Sequence, residues 1–462
     1  MSTLDTPRRV HVIAIGGAAM SGIARYLHAL GHTVTGSDVR SSSTLRALER
    51  EGISVVVGHA ADNLPPATEV VAYSTAVADD NPELVEARRR GLVVLHRSDV
   101  MEYIAGTRPS VAVISGTHGK TSTTSMLATV LDRCGAAPSF FIGGTAVDLA
   151  TNARFDPTGE WLVVEGDESD RTFLSFRRDL AVVTNIEADH LEHWDDSLDR
   201  LVAGFAEFVD GATTTVLCAD DAGTAALARE RPAALTYGRA DDADYRLVEY
   251  RPGRDGATVT VRAPDGGVIT ATLRLRGLDM ATNAVAAAAA AHRLGVAWED
   301  AWAVLAEFRG VGRRFERRAT INGAEFFDDY AHTATEITTT LARAREGGWE
   351  RVVAVCQPHR YTRIARHHAE YADAFVDADV IVITGLDPAF EAPIEGVSAT
   401  LVVDAVRAAH PDAELVFIPE WDSLRDLPWT IARPGDVVVT LGCGTITDAH
   451  ALWAAEVEAR GV

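Results

Sequence analysis

Cysteine is scarce in this chain of 462 residues: Cys134, Cys218, Cys356 and Cys443 are its four, and they lie far apart. That spacing excludes a dense disulfide framework and offers no metal-ligand pattern. Long apolar runs are missing too. The most apolar stretch, Ala284 to Ala291, is alanine-rich and well short of the ~20 residues that a membrane-spanning helix needs. The opening MSTLDTPRRV has no apolar signal-peptide core. A cytoplasmic protein without membrane insertion is expected. Positive charge is in deficit, with 66 acidic against 43 basic side chains and a formal net charge of −23. A balance of that sign excludes a protein whose main task is gripping nucleic acid or an anionic membrane. It leaves room for small anionic ligands, because helix N-termini and local cations hold phosphate on an acidic protein. No internal repeat is present, and the alanine stretch is the sole low-complexity segment.

What is present is ordinary globular material, 47% hydrophobic and 24% charged, which rules out wholesale disorder. At ~150 residues per domain the length predicts about three domains. Short β-branched runs alternate with helix-length amphipathic segments, the pattern of βαβ units on parallel sheets. A first block reads as strands Val10–Ile15, Thr33–Gly36, Ile53–Val57, Val70–Ser74 and Leu92–Leu95, with a helix over Ser21–Leu30. Gly106 to Pro109 reads as a linker. The second block takes strands Val111–Ser115, Trp161–Glu165, Ala181–Asn185 and Thr214–Cys218. An antiparallel-looking stretch from Tyr245 to Leu275 and a helix over Met280–Leu294 follow. After the junction Arg309 to Gly312 the third block takes strands Val352–Cys356, Val380–Thr384, Leu401–Val403 and Val437–Leu441. The expected domains are therefore 1–107, 108–312 and 313–462.

The strongest local signal is the loop Gly116-Thr117-His118-Gly119-Lys120-Thr121-Ser122, between a buried-strand pattern and a helical one. Backbone N–H groups of such a loop, with the helix N-terminus, form an anion cradle for nucleotide phosphates. Lys120 would neutralise β/γ-phosphate charge and the Thr121 hydroxyl would ligate magnesium. The common spacing G-x-x-x-x-G-K-[ST] is not met, because Ile114 stands where its first glycine belongs. Acids gather at two strand ends, in Glu165-Gly-Asp-Glu-Ser-Asp170 and in Asn185-Ile-Glu-Ala-Asp-His190. One or two carboxylates plus substrate phosphates are enough for magnesium.

The N-terminal turn Gly16-Gly17-Ala18-Ala19-Met20-Ser21-Gly22, with Asp38 further on, approaches a dinucleotide fingerprint. It fails the G-x-G-x-x-G test, because Ala18 and Ser21 take the second and third glycine positions. A nicotinamide-dependent oxidoreductase stays open on this turn, and so does a nucleotide-binding regulator without catalysis. The third block adds cations in Arg313-Arg314-Phe315 and Gln357-Pro-His-Arg360-Tyr-Thr-Arg363, beside Asp328-Asp329-Tyr330-Ala331-His332. Guanidinium forks suit anionic substrates.

Taken together, GTHGKT, EGDESD, TNIEADH, GRRF, DDYAH and QPHRYTR follow the order and spacing of the Mur ligases, and the chain resembles that family over essentially its whole length. The first-block IGGAAMSGIA, GSD, Gly58-His59, and the segments at Tyr73–Ala76 and Asn81–Glu83 resemble the branch that joins L-alanine to UDP-N-acetylmuramate. The resemblance implies an α/β fold of three domains. These are a Rossmann-like N-terminal domain for the UDP-linked sugar acid, a central P-loop ATPase-type domain, and a Rossmann-like C-terminal domain that binds the amino acid and closes on ATP. It implies ATP and Mg2+ (or Mn2+) as cofactors, small-molecule substrates as partners, and a monomer or homodimer. It also implies an amide ligase that passes through an acyl phosphate. By residue, it implies Lys120, Glu165 and His190 as the catalytic group and Thr121, Glu165 and His190 as metal ligands. The loop 116–122 with Asn283, Arg314 and Asp329 would bind ATP. Gly17, Ala18, Met20, Ser21, Asp38, His59 and Ser74 would hold UDP, and Tyr330, His332, Arg360 and Arg363 would frame the amino acid.

The chain departs from the family pattern at four places. Asp279 replaces the histidine of G-x-H-x-x-x-N, Thr333 and Ala334 replace the His-Pro after DDYAH, Cys443 stands for an alanine, and so does Gly166. Transfer of another amino acid, a peptide or another amine onto a UDP-linked or other acid therefore stays open beside the alanine reaction.

Overall fold

The computed structural model describes residues 3–189, 191–389 and 391–461. Among these, the strands form three sheets. The first contains β1 (Arg9–Ile13), β2 (Thr33–Asp38), β3 (Ser54–Val57), β4 (Val70–Tyr73) and β5 (Val93–His96) in the order β3-β2-β1-β4-β5. All its pairings are parallel, which the helices between successive strands permit. The order reverses beside β1, and ligands of doubly wound sheets sit in the crevice at such a reversal.

The second sheet is built on β6 (Ser110–Ser115), β7 (Ser139–Ala146), β8 (Thr151–Arg154), β9 (Trp161–Glu165), β10 (Arg178–Val183), β11 (Ala212–Cys218) and β12 (Leu235–Gly238), in the order β12-β11-β10-β6-β9-β7-β8. Its centre is buried on both faces, so β6, β9 and β10 are near-continuous Val, Ile, Leu and Ala. β13 (Tyr245–Gly253), β14 (Gly256–Arg262) and β15 (Val268–Leu273) continue it past β12. There Thr258 faces Thr272 and Thr260 faces Thr270, an antiparallel register. The third sheet runs β16 (Glu316–Ile321), β17 (Ala324–Asp329), β21 (Val437–Leu441), β18 (Val352–Cys356), β19 (Val380–Thr384), β20 (Glu414–Ile418), parallel except for β16 against β17. The result is a three-domain α/β fold with Rossmann-like parallel sheets.

By residue proximity the chain forms two compact units. One comprises residues up to Glu249 with Thr260–Ala271 and Thr282–Arg309; the other comprises Tyr250–Val259, Thr272–Ala281 and the chain from Gly310. A single apolar cluster in the first unit joins Val10, Val12 and Tyr26 of the first sheet to Val111, Phe141 and Phe173 of the second. Residues Ala284 to Ala291 of the helix Leu278–Arg293 are all buried. Side chains that small let neighbouring backbone approach closely.

One expected strand is wrong. Leu401, Val402 and Val403 lie in the helix Thr400–Ala409. Val402, Val403 and Val406 are buried, a helical spacing. Burial of a helix face overrides β-branched propensity there. The strand of that region is β20, which the reading missed along with β7, β8, β12, β16 and β17. Among the described residues, no helix is long and apolar enough to cross a membrane.

Candidate functional site

The loop after β6 makes a sharp entry into the helix Lys120–Arg133. Gly116 (φ +132°) and Gly119 (φ +82°) take left-handed conformations that disfavour side chains. Space forbids a side chain too: a Cβ on Gly116 would come within 2.1 Å of Thr184 Oγ1, and one on Gly119 within 2.7 Å of Asn283 Oδ1. Asn283 therefore lies directly against the loop. The end of β10 braces the loop. Thr117 N–H donates to the Asn185 carbonyl at 3.0 Å, His118 N–H to Asn185 Oδ1 at 2.8 Å, and Glu187 N–H to Thr117 Oγ1 at 2.9 Å. The helix has no side-chain N-cap, so the backbone N–H groups of its first turn, at Lys120, Thr121 and Ser122, form the donor-rich end of its dipole.

Lys120 is the only lysine of the chain. Its Nζ donates to the Gly116 carbonyl at 2.5 Å, the Thr117 carbonyl at 3.0 Å and Glu168 at 2.8 Å. Burial alone would lower the ammonium's pKa, but Glu168 and Asp167 outweigh it and hold Lys120 firmly cationic. Burial raises Glu168, against the pull of Lys120. Asp167 is driven down to about 2, because Arg97 and Lys120 overcome its own burial. Arg97, at the start of the helix Arg97–Gly106, reaches both Asp167 and Asp170.

Thr121 Oγ1 donates to Glu165 Oε1 at 3.0 Å, while Gly143 N–H donates to Oε2 at 2.8 Å. A hydroxyl and a carboxylate converging beside a phosphate loop are an oxygen-only donor set that fits magnesium, which keeps waters and takes phosphate oxygens for the rest. His190 lies outside the described residues. A Cβ at Gly166 would meet Val113 Cγ1 at 2.8 Å and Phe173 Cβ at 3.0 Å, so the alanine of the family pattern would need these side chains to shift.

In the first sheet, Gly16 N–H donates to Asp38 Oδ2 at 2.9 Å, so the end of β2 clasps the turn after β1. Gly17 precedes the helix Ala18–Ala29. Met20 and Ser21 turn into the core; the Ser21 hydroxyl donates to the Ala18 carbonyl at 3.0 Å. His59 meets Ser37 Oγ at 3.0 Å, and Ser74 is half-buried just past β4. Glu83, which carried no assigned role, is the hub of this corner. It is fully buried, 2.5 Å from Ser37 Oγ, 2.6 Å from Asn63 Nδ2 and 3.4 Å from ring nitrogens of His11 and His59. Burial raises its pKa, yet the bonds from His11, Ser37 and Asn63 reverse this and take it to about 2.

The second unit gathers Arg313, Arg314 and Tyr330: both guanidinium groups lie over the Tyr330 ring, at 5.0 and 5.1 Å. Asp329 accepts from Phe315 N–H at 2.7 Å and from Ala331 N–H at 2.8 Å. Its pKa is raised by burial against the pull of Arg343 and Arg314. His332 packs 6.5 Å from His359, and Arg363 Nη1 lies 3.4 Å from His359 Nδ1. Burial lowers both imidazoles, His359 to about 4. The Arg360 guanidinium pairs with Glu391 at 2.7 Å and adds to the positive charge acting on His359. Thr333 caps the helix Ala334–Glu346 in a reciprocal box with Glu336, so the departure from His-Pro exchanges a proline start for a side-chain cap.

Glu168, Asp167, Asn185 and Glu187 were within recognised motifs but had no assigned role. Their partners show what they do. Gly143 and Arg97 had no sequence signal, being distant in the chain from the groups they touch.

Profiles of the Mur ligase family catalytic domain, the Mur ligase middle domain and the Mur ligase glutamate ligase domain match residues 9–108, 114–291 and 313–444. The chain is 44% identical over 457 residues to the UDP-N-acetylmuramate–L-alanine ligase of Brucella anthropi, covering 96% of both proteins. Over 452 residues it is 41% identical to the protein of the same name from Pelotomaculum thermopropionicum, covering 96% of this chain and 97% of that one. The solved UDP-N-acetylmuramate-alanine ligase of Thermotoga maritima superposes with a TM-score of 0.86 at 27% identity, over 98% of this chain and all of that one. A murein peptide ligase from Psychrobacter arcticus gives 0.74 at 25%, over 97% and 98%. These likenesses set aside the oxidoreductase and regulatory readings, and the chain belongs to the Mur ligase family of ATP-dependent ligases.

Proposed function

We propose that this ligase joins L-alanine to the lactyl carboxylate of UDP-N-acetylmuramate, the first amino-acid addition to a peptidoglycan precursor. Full-length identity above 40% to relatives bearing that activity in their names carries the reading. A carboxylate oxygen attacks the γ-phosphorus of ATP, ADP departs, and an acyl phosphate results. The alanine nitrogen then attacks the acyl carbon, phosphate leaves with the electron pair of the broken C–O bond, and the amine's proton is lost.

Such chemistry asks mainly for positioning and charge neutralisation. The loop 116–122 would cradle the phosphates, with Lys120 exchanging Glu168 for a phosphate oxygen. Thr121, Glu165 and His190 would hold Mg2+ (or Mn2+), which when bound supplies charge to the transferring phosphoryl group. Asn283, Arg314 and Asp329 would serve the nucleotide. Tyr330, His332, Arg360 and Arg363 would serve the amino acid, and Gly17, Ala18, Met20, Ser21, Asp38, His59 and Ser74 the UDP group. Met20 and Ser21 would contribute through backbone and packing, since their side chains face the core. We assign these tasks to 108–312, 313–462 and 1–107 respectively, with Arg314 and Asp329 as the third block's share of the nucleotide, in a cytoplasmic monomer or homodimer.

The test supplies ATP, Mg2+, UDP-N-acetylmuramate and single amino acids, following phosphate release and product mass. An L-alanine adduct is expected. A second reading, transfer of a murein peptide, is favoured by the likeness to murein peptide ligase. Turnover with a peptide but not with L-alanine would establish it and overturn the first.

A further inference from the structure

Asp279 is the departure that the proposed reaction leaves unused, an acid where the family pattern has histidine. It is not a loose surface charge. Its Oδ2 accepts from Arg343 Nη2 at 2.5 Å, and Arg343 Nη1 stands 3.6 Å from Asp329 Oδ2. Arg343 is buried, with its guanidinium 5.4 Å from the centre of the Phe315 ring. The turn that delivers Asp279 is tailored to this contact. Gly277 has φ +100°, and a Cβ there would lie 2.4 Å from Asp279 Oδ1 and 2.6 Å from Arg343 Nε. Its N–H donates to the Tyr250 hydroxyl at 3.1 Å, and that hydroxyl donates to Glu346 at 2.5 Å.

The geometry divides one guanidinium between two carboxylates unequally. Asp279 takes the short, charge-assisted hydrogen bond, and Asp329 receives only a longer-range attraction. Both Asp329 oxygens therefore stay on the N–H groups of Phe315 and Ala331. Those bonds tie the loop carrying Arg314 to the loop carrying Tyr330. Without the anion at 279, the freed fork of Arg343 would turn to Asp329 bidentately and pull it from those N–H groups. A neutral imidazole at 279 cannot hold a guanidinium by charge, so the histidine pattern and this one are different devices.

We propose that Asp279 is a positioning residue that acts through Arg343 to keep Asp329 and the Arg313–Phe315 loop in their nucleotide-receiving arrangement. The inference rests on the proposed role of Arg314 and Asp329 toward ATP. The test uses the full-length enzyme and measures KM and kcat by phosphate release, varying ATP and UDP-N-acetylmuramate separately, for Asp279→Asn, Asp279→Glu and Arg314→Ala. Loss of one charged hydrogen bond should raise the ATP KM of Asp279→Asn by on the order of tenfold, with the KM for the UDP-linked acid unchanged. Asp279→Glu should recover most of the loss, and Arg314→Ala should also raise the ATP KM. A parental ATP KM in Asp279→Asn alongside a raised one in Arg314→Ala overturns the relay alone. Parental values in both overturn the nucleotide role of the loop, and the relay with it. If Asp279→Asn weakens both substrates in proportion to a drop in Tm, its role is structural and the proposal fails.

Discussion

Replacing Lys120 with methionine removes one cation from a site where all three ammonium donors are in use. At 2.8 Å the attraction to Glu168 is about 6 kcal/mol gross at an effective dielectric of about 20, much of it offset by desolvation of the two charges. Lys120→Met leaves Glu168, 2% exposed, beside Asp167 with no cation of its own. Breaking a buried pair from one side costs about 3–5 kcal/mol, a fall in Tm on the order of 10 °C. Lys120→Met/Glu168→Met removes both charges and should recover most of that loss. The penalty has a pH signature. Burial raises Glu168 even with Lys120 present, and without the lysine it rises further. An acid with a raised folded-state pKa binds its proton in the folded state first. Its stability deficit therefore grows as pH rises from the ordinary carboxyl range up to the raised value, and is relieved in acid. Scanning calorimetry across pH should show the gap between variant and parent narrow near pH ~5 and wide near pH ~8. Equal Tm at the higher pH, or a gap that widens in acid, refutes the reasoning. Both variants should lose phosphate release by about 10²–10³-fold; a stable double variant with parental turnover would sink the role of Lys120.

Glu165→Gln keeps a partner for Thr121 but removes the charge that magnesium needs. Half-saturating Mg2+ should rise on the order of tenfold, and an unchanged magnesium curve would take Glu165 out of the metal site. Gly119→Ala puts a Cβ 2.7 Å from Asn283 Oδ1 at φ +82°. The strain should cost about 1–3 kcal/mol and raise the ATP KM, so a parental Tm and KM would contradict the tight fit. Glu83→Gln probes a carboxyl lowered from 4.5 to about 2, a shift on the order of 3 kcal/mol. A lowered acid contributes stability above its ordinary pKa and loses it as pH falls toward the folded value. The Tm difference from parent should thus be full at neutral pH and fade between about pH 4.5 and 2; a pH-independent difference would assign the loss to packing.

The parts legible in sequence are those in which a short segment makes its own contacts. Val352–Cys356 and Trp161–Glu165 read as strands because every residue faces apolar surroundings or ends the strand, and both have those bounds in the structure. The loop around Lys120 was legible because its glycines, lysine and threonine build one strand-to-helix turn from consecutive positions. Leu401–Val403 misled because β-branched residues suit a buried helix face as well as a strand. Glu83 was invisible as a hub, since its partners His11, Ser37, and His59 with Asn63 come from three separate segments.

Family, α/β architecture and the motifs at strand ends could be read from the chain because they depend on local periodicity and on residue order. How the charges are shared emerges from the folded arrangement. It pairs the single lysine with Glu168, turns Arg360 to Glu391, and sets Arg343 between Asp279 and Asp329. Pairing of this kind follows from distance and burial between segments far apart in the chain, where a few ångströms decide which carboxylate takes a hydrogen bond and which only feels a field.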